Sequence, residues 1–334
     1  MANTKFSDLP AGAAIGGTEE IPAIQSGAGV TVTPAQMATY VNKIGPFYAN
    51  ASPAPATGFA GYGMKSFAGA YMPTVKGSNT MERMVRPMEG MTRISSMTGF
   101  AGGTTIGAGN YHFQATYMTL TGATGWAVAN TNYVTRQNAT QFSSSAAAGN
   151  YAGFYSNNVI STQMYLGDGA GLGGFLFGLR FVIADTIAGA VMFCGISSST
   201  SAPTGTTDPA ALTNSIGVAK LAGSANLQIV FGGSGAQTPI DLGAGFPATG
   251  VKTDVYELQL FSDANDNGSV GYRVIRNPGL PTATEVSGTL TNTTPGTTLP
   301  ASTTGLGPRM WRGNNATATA AVIALVSGYC ISDT

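Results

Sequence analysis

Only a few residues in the sequence have types and spacings that suggest chemistry. His112 is the only histidine, and with no serine, cysteine or aspartate signature beside it we expect neither a general base nor a zinc ligand. The stretch 263–268, DANDNG, matches the first half of a calcium loop, but Val274 stands where a bidentate glutamate is expected. We interpret the stretch as a hairpin turn with Asn267 and Gly268 at positive φ, and calcium binding stays open.

A glycine-rich stretch, 169–174, satisfies the pattern G-x-G-x-x-G of dinucleotide-binding loops. That motif requires a strand before it and a helix after it, because the helix N-terminus holds the pyrophosphate. Here FLFGLRFVI follows, which is typical of a strand. We therefore predict a loop between strands and no cofactor.

Cleavage of a glycan would require two carboxylates about 5 to 10 Å apart. The second part of the chain offers ten candidates: Asp168, Asp185, Asp208, Asp241, Asp254, Glu257, Asp263, Asp266, Glu285 and Asp333. No pair is distinguished by its spacing, so we predict no catalytic residue and no enzyme. A polysaccharide depolymerase remains an alternative.

Binding of a glycan without cleavage needs aromatic faces and hydrogen-bonding groups at loop tips. Trp126, Trp311, Arg312 and Asn314 are candidate contacts, and the last three lie in the turn-like stretch GPRMWRGNN. The alternative places both tryptophans in the core. A lectin function therefore stays open.

The elements that must position such residues are organised around Gly174 to Ile196, the most apolar stretch of the chain. Arg180 and Asp185 lie inside it and argue against a membrane span. We predict two buried strands joined by a turn at 184–186, with a second sheet packed over them. Further short strands are predicted at 91–97, 111–120, 125–134, 159–166, 227–231, 255–261, 270–275 and 321–331. Such strands between Gly, Asn and Thr turns predict an all-β protein with a C-terminal, jelly-roll-like β-sandwich.

The chain divides into three parts. Residues 1–48 are predicted to be a small module of short strands with one helix at 34–44, because Thr33 and Pro34 fit a helix start. Residues 49–85 are rich in Pro, Ala and Gly and predict a linker or stalk. Residues 86–334 would form the β-sandwich.

Composition limits the partners. Charged residues are 9% of the chain, about a third of the usual share, and the formal net charge is zero. We expect neither nucleic acid nor membrane as a partner, and we expect self-association because little charge covers the surface. Cys194 and Cys330 lie in apolar runs and are predicted to be core residues. The N-terminus shows no secretory signal.

The stretch FSDLPAGAAIGGTEEIPAIQSGAGVTVTPAQMATYV resembles the N-terminal module of tail-fibre and other appendage proteins of tailed bacteriophages. The features that match are an S-D-L-P opening, an acidic pair before a strand, a tight turn and T-x-x-Q leading into a helix. The resemblance implies attachment to the virion through eight residues: Leu9, Pro10, Ile21, Pro22, Val32, Met37, Tyr40 and Val41.

The second half resembles a C-terminal β-sandwich domain of phage virion proteins. The matching features are SIGV, IDLGAGFP and the hairpin strand YELQLF, in that order, while VMFCGISSS is a looser counterpart of a G-F-x-G-L strand. The resemblance implies a tail fibre, or a head or collar fibre, that is homotrimeric, bound to other virion structural proteins and able to contact a host-surface glycan. Its location would be the virion, assembled in the host cytoplasm.

Overall fold

The computed structural model describes residues 118–157 and 164–332 in full and gives the backbone of seven earlier strands. The earlier strands are β1 (Ile21–Gln25), β2 (Ala28–Val32), β3 (Ala60–Phe67), β4 (Ala70–Gly77), β5 (Arg83–Met84), β6 (Arg93–Gly99) and β7 (Ile106–Ala108). The strands in the fully described ranges are β8 (Met118–Thr121), β9 (Ala123–Gly125), β10 (Thr140–Ser143), β11 (Tyr151–Ser156), β12 (Phe175–Ile183), β13 (Val191–Ser197), β14 (Ser215–Lys220), β15 (Gln228–Gly232), β16 (Ile240–Asp241), β17 (Val255–Ser262), β18 (Val270–Arg276), β19 (Thr284–Leu290), β20 (Gly307–Gly313) and β21 (Val322–Ser332).

Two antiparallel sheets pack face to face. The nine-stranded sheet runs β19-β18-β17-β12-β21-β10-β9, with β6 paired to the other half of β21 and β7 paired to β6. The seven-stranded sheet runs β16-β15-β14-β13-β20-β11-β8. This arrangement confirms the predicted all-β sandwich.

The apolar stretch that organises the sequence forms β12 and β13, which are inner strands of opposite sheets. β12 pairs with β17 and β21, and β13 pairs with β14 and β20. The prediction of two buried strands is confirmed, although their connection spans residues 184–190 rather than 184–186. Among the described residues, no helix has the length and apolar character that a bilayer crossing requires.

The core between the sheets is built from alternate residues of each strand. Phe177, Leu179 and Phe181 of β12 belong to it, together with Cys194 of β13 and Cys330 of β21. Both cysteines are free and fully buried, as predicted, and burial raises the pKa of each thiol. Loss of hydration disfavours the thiolate, so both behave as small apolar side chains.

Two stretches fold differently from their prediction. GPRMWRG, predicted to be turn-like, is strand β20, and all seven of its residues are buried. The predicted strand 125–134 is instead largely the loop 126–139 between β9 and β10. Trp126 and Val134 in this loop pack on Val182 at the outer face of the nine-stranded sheet. The apolar residues of the loop therefore give a strand-like pattern in the sequence, whereas the arginines of β20 make a buried strand look like a polar turn.

The connections predicted to be turns are observed. The stretch 263–268 lies between the paired strands β17 and β18, and Gly268 has φ +73°. Asn267 is not among the residues with positive φ, so only the glycine supplies it. The glycine-rich stretch 169–174 is a loop that leads into strand β12, so the predicted loop before a strand is confirmed. Most of the predicted strand 159–166 lies outside the described residues, which resume at Met164, and Met164 forms an isolated bridge with Leu306.

The N-terminal part differs from its prediction at 60–84. There β3, β4 and β5 form a three-stranded antiparallel sheet where a linker or stalk was predicted, because pairing of backbone groups does not require an apolar period. Of the predicted attachment residues, Ile21, Pro22 and Val32 lie in the β1–β2 hairpin. Several predictions fall outside the described residues: the helix 34–44, His112 and residues 111–117 of the predicted strand 111–120, the carboxylate Asp333, and Leu9, Pro10, Met37, Tyr40 and Val41.

Candidate functional site

A group of aromatic and polar side chains lies on the outer face of the seven-stranded sheet, close to its edge strand β8. Tyr151 and Tyr155 come from β11, Thr119 and Thr121 from β8, and Arg309 from β20. Tyr155 is in register with Thr119 on one side and Arg309 on the other. Both tyrosines and both threonines are half-buried. We call these five residues the tyrosine face.

Gly153 separates the two tyrosines along β11. Its φ is +146°, and a Cβ added there would lie 2.1 Å from the backbone oxygen of Met310. Only glycine therefore allows β20 to approach β11 at this point. Tyr151 and Tyr155 lie four residues apart, roughly 13 Å at about 3.3 Å per residue, and the backbone between them carries no outward side chain.

Hydrogen bonds hold the polar groups at the edge of the tyrosine face. The Tyr151 hydroxyl lies 3.1 Å from the Thr121 hydroxyl, and the Asn157 side-chain amide donates to the Thr119 hydroxyl at 3.3 Å. Strand pairing fixes the backbone beneath them. The face thus presents aromatic rings, hydroxyls and an amide on a rigid sheet.

Arg309 is the charged residue of the tyrosine face. It is only 4% exposed, its Nη1 donates to the Ser199 backbone oxygen at 3.0 Å, and its Cζ lies 5.7 Å from the centre of the Tyr155 ring. Within the fully described ranges, its Nε is buried without a hydrogen-bond acceptor, and no carboxylate lies within salt-bridge distance. Loss of hydration lowers the pKa of Arg309, although the side chain remains a cation.

The loop 198–214 packs on the same outer sheet face, where Leu212 joins the apolar side chains of β13, β15 and β20. The Gly205 amide donates to the Gly149 backbone oxygen at 2.9 Å, and the Asn315 amide donates to the Gly205 oxygen at 3.0 Å. Beside the loop, Trp311 and Phe193 are fully buried in a cluster to which Leu212 adds its side chain. The loop therefore bounds the tyrosine face and supplies Ser199 as one wall of the Arg309 site.

The predicted glycan contacts are all buried. Trp126 is 2% exposed, with the Lys252 Nζ 4.3 Å from its ring centre, and Trp311 is fully buried. Arg312 and Asn314 are also fully buried. The alternative left open by the sequence, tryptophans in the core, is the one observed, and none of the four residues is available as a surface contact.

Asn314 and Arg312 hold one end of the fold together. The Asn314 amide donates to the backbone oxygens of Ser145 and Ala147 at 3.0 and 2.8 Å. Arg312 donates twice to Asp185, with both distances 2.6 Å, and the Asp185 carboxylate also accepts from the Val322 amide at 2.6 Å. These contacts are structural, and they tie the β12–β13 connection to β20 and β21.

Lys220 lies at the same end of the core and is fully buried. Its Nζ donates to the Ala188 backbone oxygen at 2.6 Å and to the Leu221 oxygen at 3.2 Å. Burial, with a smaller contribution from the Arg312 charge, lowers its pKa to about 8, while Asp185 acts in the opposite direction. The buried group at this end therefore gains or loses a proton near neutral pH.

Two of the candidate carboxylates come together on the outer face of the nine-stranded sheet. Glu257 and Glu285 are in register on either side of Ile275, so their backbones lie roughly 10 Å apart. Glu257 forms a salt bridge with Arg180, and Glu285 forms one with Arg273. Both carboxylates are thus engaged by arginines, as in a structural charge network.

Gln259 links these two salt bridges. Its amide nitrogen donates to Glu257 at 2.6 Å, and its amide oxygen accepts from the Arg273 Nη1 at 3.4 Å. Sequence reasoning missed this network because its members come from four strands. Among the described residues, no group of three or more His, Cys, Asp or Glu side chains is placed to hold a metal ion.

No protein-family model matches the chain, and no curated protein sequence matches it. Among solved structures, it is similar to lectin II from Ulex europaeus, with 11% identity and a TM-score of 0.43 over 73% of this chain and 100% of the lectin. Arcelin-5, a lectin-like defense protein from Phaseolus vulgaris, is 12% identical, with a TM-score of 0.41 over 72% of this chain and 97% of arcelin-5. A family 7 alginate lyase in complex with substrate is 11% identical, with a TM-score of 0.36 over 72% of this chain and 93% of the lyase. Every one of these TM-scores is below 0.5, so none assigns an activity to this chain.

Proposed function

We propose that the protein is a carbohydrate-binding β-sandwich and that the tyrosine face holds the glycan. The observation that supports this most strongly is that the half-buried Tyr151 and Tyr155 lie on a rigid sheet beside the hydroxyls of Thr119 and Thr121 and the amide of Asn157. Sugar rings have apolar faces that pack on aromatic rings and hydroxyl edges that need hydrogen-bond partners. The tyrosine face offers both within one surface.

The spacing of the tyrosines indicates an extended ligand. The backbones of the two tyrosines lie roughly 13 Å apart along one strand, with bare backbone at Gly153 between them. This spacing suits a chain of sugars better than a single sugar residue. Strand pairing on both sides of β11 holds the rings in place, so little conformational entropy is lost when a glycan binds.

The test is a glycan array followed by calorimetry with the full chain and two tyrosine variants. Tyr155→Ala is expected to weaken binding roughly ten-fold, about 1.4 kcal/mol, through loss of one aromatic contact. Tyr133→Ala is the matched control, because Tyr133 is also half-buried but hydrogen-bonds to the Pro278 oxygen in another part of the fold. Equal affinities for wild type and Tyr155→Ala would contradict the assignment of the tyrosine face.

We propose further that this sandwich belongs to a virion appendage, a fibre that carries it toward a host-surface glycan. The support is the resemblance of the N-terminal stretch and of the second half to phage proteins, together with the 9% charged residues. A homotrimer in light scattering, three times the 33.8 kDa chain mass, is the expected result. A monomer at micromolar concentration would count against the fibre.

Glycan cleavage is the competing function, and the pair Glu257 and Glu285 is the observation that favours it. Because both carboxylates are held by arginines, we expect binding without cleavage. Incubation of the full chain with each bound polysaccharide should release no reducing ends. Release that Glu257→Gln abolishes would show that the protein is an enzyme.

A further inference from the structure

We propose that Arg309 sets the ligand class of the tyrosine face, which is a glycan that bears carboxylates, such as a polymer of uronic acids. The proposal rests on the proposed glycan-binding function and adds to it the chemical class of the sugar. In it, the ligand carboxylate pairs with the Arg309 guanidinium while the sugar ring packs on Tyr155.

The contrast with the other arginines carries the proposal. Six arginines lie in the fully described ranges, and four of them have a carboxylate partner. Those pairs are Arg180 with Glu257, Arg273 with Glu285, Arg276 with Asp254, and Arg312 with Asp185. Arg136 is exposed to water. Arg309 alone is buried in this part of the chain without an anion.

A buried guanidinium without an anion is costly, because it has lost much of its hydration and gained little in return. The Ser199 carbonyl and the Tyr155 ring offer only partial negative charge. On the neighbouring strand β13, the residue in register with Arg309 is Gly195, which has no side chain. The neighbouring elements therefore provide no full counter-charge, and a ligand anion would supply it.

A carboxylate fits the guanidinium better than a neutral hydroxyl does. The planar guanidinium matches the two oxygens of a carboxylate, and such charge-assisted hydrogen bonds are about twice as strong as neutral ones. The Tyr155 ring beside Arg309 offers the apolar surface on which the same sugar ring would lie. In the proposed complex, the same sugar residue pairs its carboxylate with Arg309 and packs its ring on Tyr155, which makes the site selective for acidic sugars.

The test compares two forms of one polymer, polygalacturonate and its fully methyl-esterified derivative, in binding to the full chain. Esterification removes the charge and leaves the sugar ring in place. Wild type is expected to bind polygalacturonate at least roughly ten-fold more tightly. In Arg309→Gln this preference should disappear, because the substitution removes the cation that would pair with the ligand carboxylate. Arg136→Gln, which changes an exposed arginine elsewhere, should keep the full preference.

The possible outcomes distinguish the proposed role of Arg309 from the proposed glycan-binding function. Equal binding of both polymers by wild type would overturn the role of Arg309 and leave glycan binding intact. If no glycan binds, the proposed function fails. In that case the anion site has its own readout: sodium glucuronate at millimolar concentration should raise the melting temperature of wild type and not of Arg309→Gln. Absence of that difference would overturn the anion site as well.

Discussion

Two arginines on the same strand, three residues apart, should differ in how much stability is lost when each is replaced by methionine. Arg312→Met removes the partner of Asp185, which is 9% exposed and receives both guanidinium hydrogen bonds at 2.6 Å. The carboxylate would keep its backbone donors, Val322 and Ile187. Breaking one side of a buried ion pair costs roughly 3 to 5 kcal/mol, because the remaining charge stays buried. We expect a loss of that size.

Arg309→Met removes a buried cation that has no carboxylate partner. The lost interactions are one charged hydrogen bond to the Ser199 oxygen, about 1.5 to 3 kcal/mol, and a ring contact of about 0.5 to 1 kcal/mol. Removing an uncompensated charge recovers a desolvation penalty of several kcal/mol. The two contributions nearly cancel, so the free energy of unfolding should change by less than about 1 kcal/mol.

Urea unfolding followed by far-ultraviolet circular dichroism measures both variants, and it avoids the fluorescence of Trp311 between them. The double variant Asp185→Asn with Arg312→Met is the control, because removal of both charges should recover part of the loss. If Arg309→Met destabilised the protein as much as Arg312→Met, the folded chain would already hold a counter-charge for Arg309. The reasoning on the acidic ligand would then fail.

Two further predictions concern stability. Burial lowers the pKa of Lys220 to about 8, against 10.5 for an ordinary lysine. Between these two pH values the unfolded chain binds more protons than the folded chain, so the free energy of unfolding rises with pH. From pH 7 to pH 9, the free energy of unfolding of wild type should rise by about 1 kcal/mol relative to that of Lys220→Met. Urea titrations of both proteins at the two pH values measure this, and an equal gap between their midpoints at pH 7 and pH 9 would contradict the buried charge. Gly153→Ala should cost roughly 2 to 4 kcal/mol, because its Cβ would meet the Met310 backbone oxygen at 2.1 Å in a disfavoured φ region. Gly149→Ala, also at positive φ but with open space, should cost only about 1 kcal/mol in the same urea titration.

The sequence was sufficient to predict the sandwich because its central strands follow a simple rule. Phe177, Leu179 and Phe181 alternate along β12 and mark its core face, and the break near Asp185 marks the passage to the opposite sheet. The strand β20 could not be predicted in this way. Its two buried arginines interrupt the apolar pattern that periodicity arguments depend on. Arg312 is buried beside an aspartate that lies 127 residues away in the sequence, which no local pattern reveals.

The tyrosine face lay beyond sequence reasoning for a different reason. It joins residues near 119, 151–155 and 309, and only the strand order β8-β11-β20 brings them together. No spacing in the sequence encodes that order, because each pairing is made across long intervening segments. The predicted glycan contacts were chosen by residue type at apparent turns, and those aromatic residues were the ones that the core required.

The buried charges bear on the expectation of self-association. The chain has only 15 basic and 15 acidic residues, and several of these do not reach the surface. In the fully described ranges, the buried charged residues are Asp185, Lys220, Asp254, Arg273, Arg309 and Arg312. The described part of the sandwich therefore exposes fewer charges than its composition suggests. A surface with few charges repels its own copies weakly, as the proposed self-association requires. It also makes a single uncompensated cation at the tyrosine face more effective in choosing an acidic ligand, because few other charges compete for it.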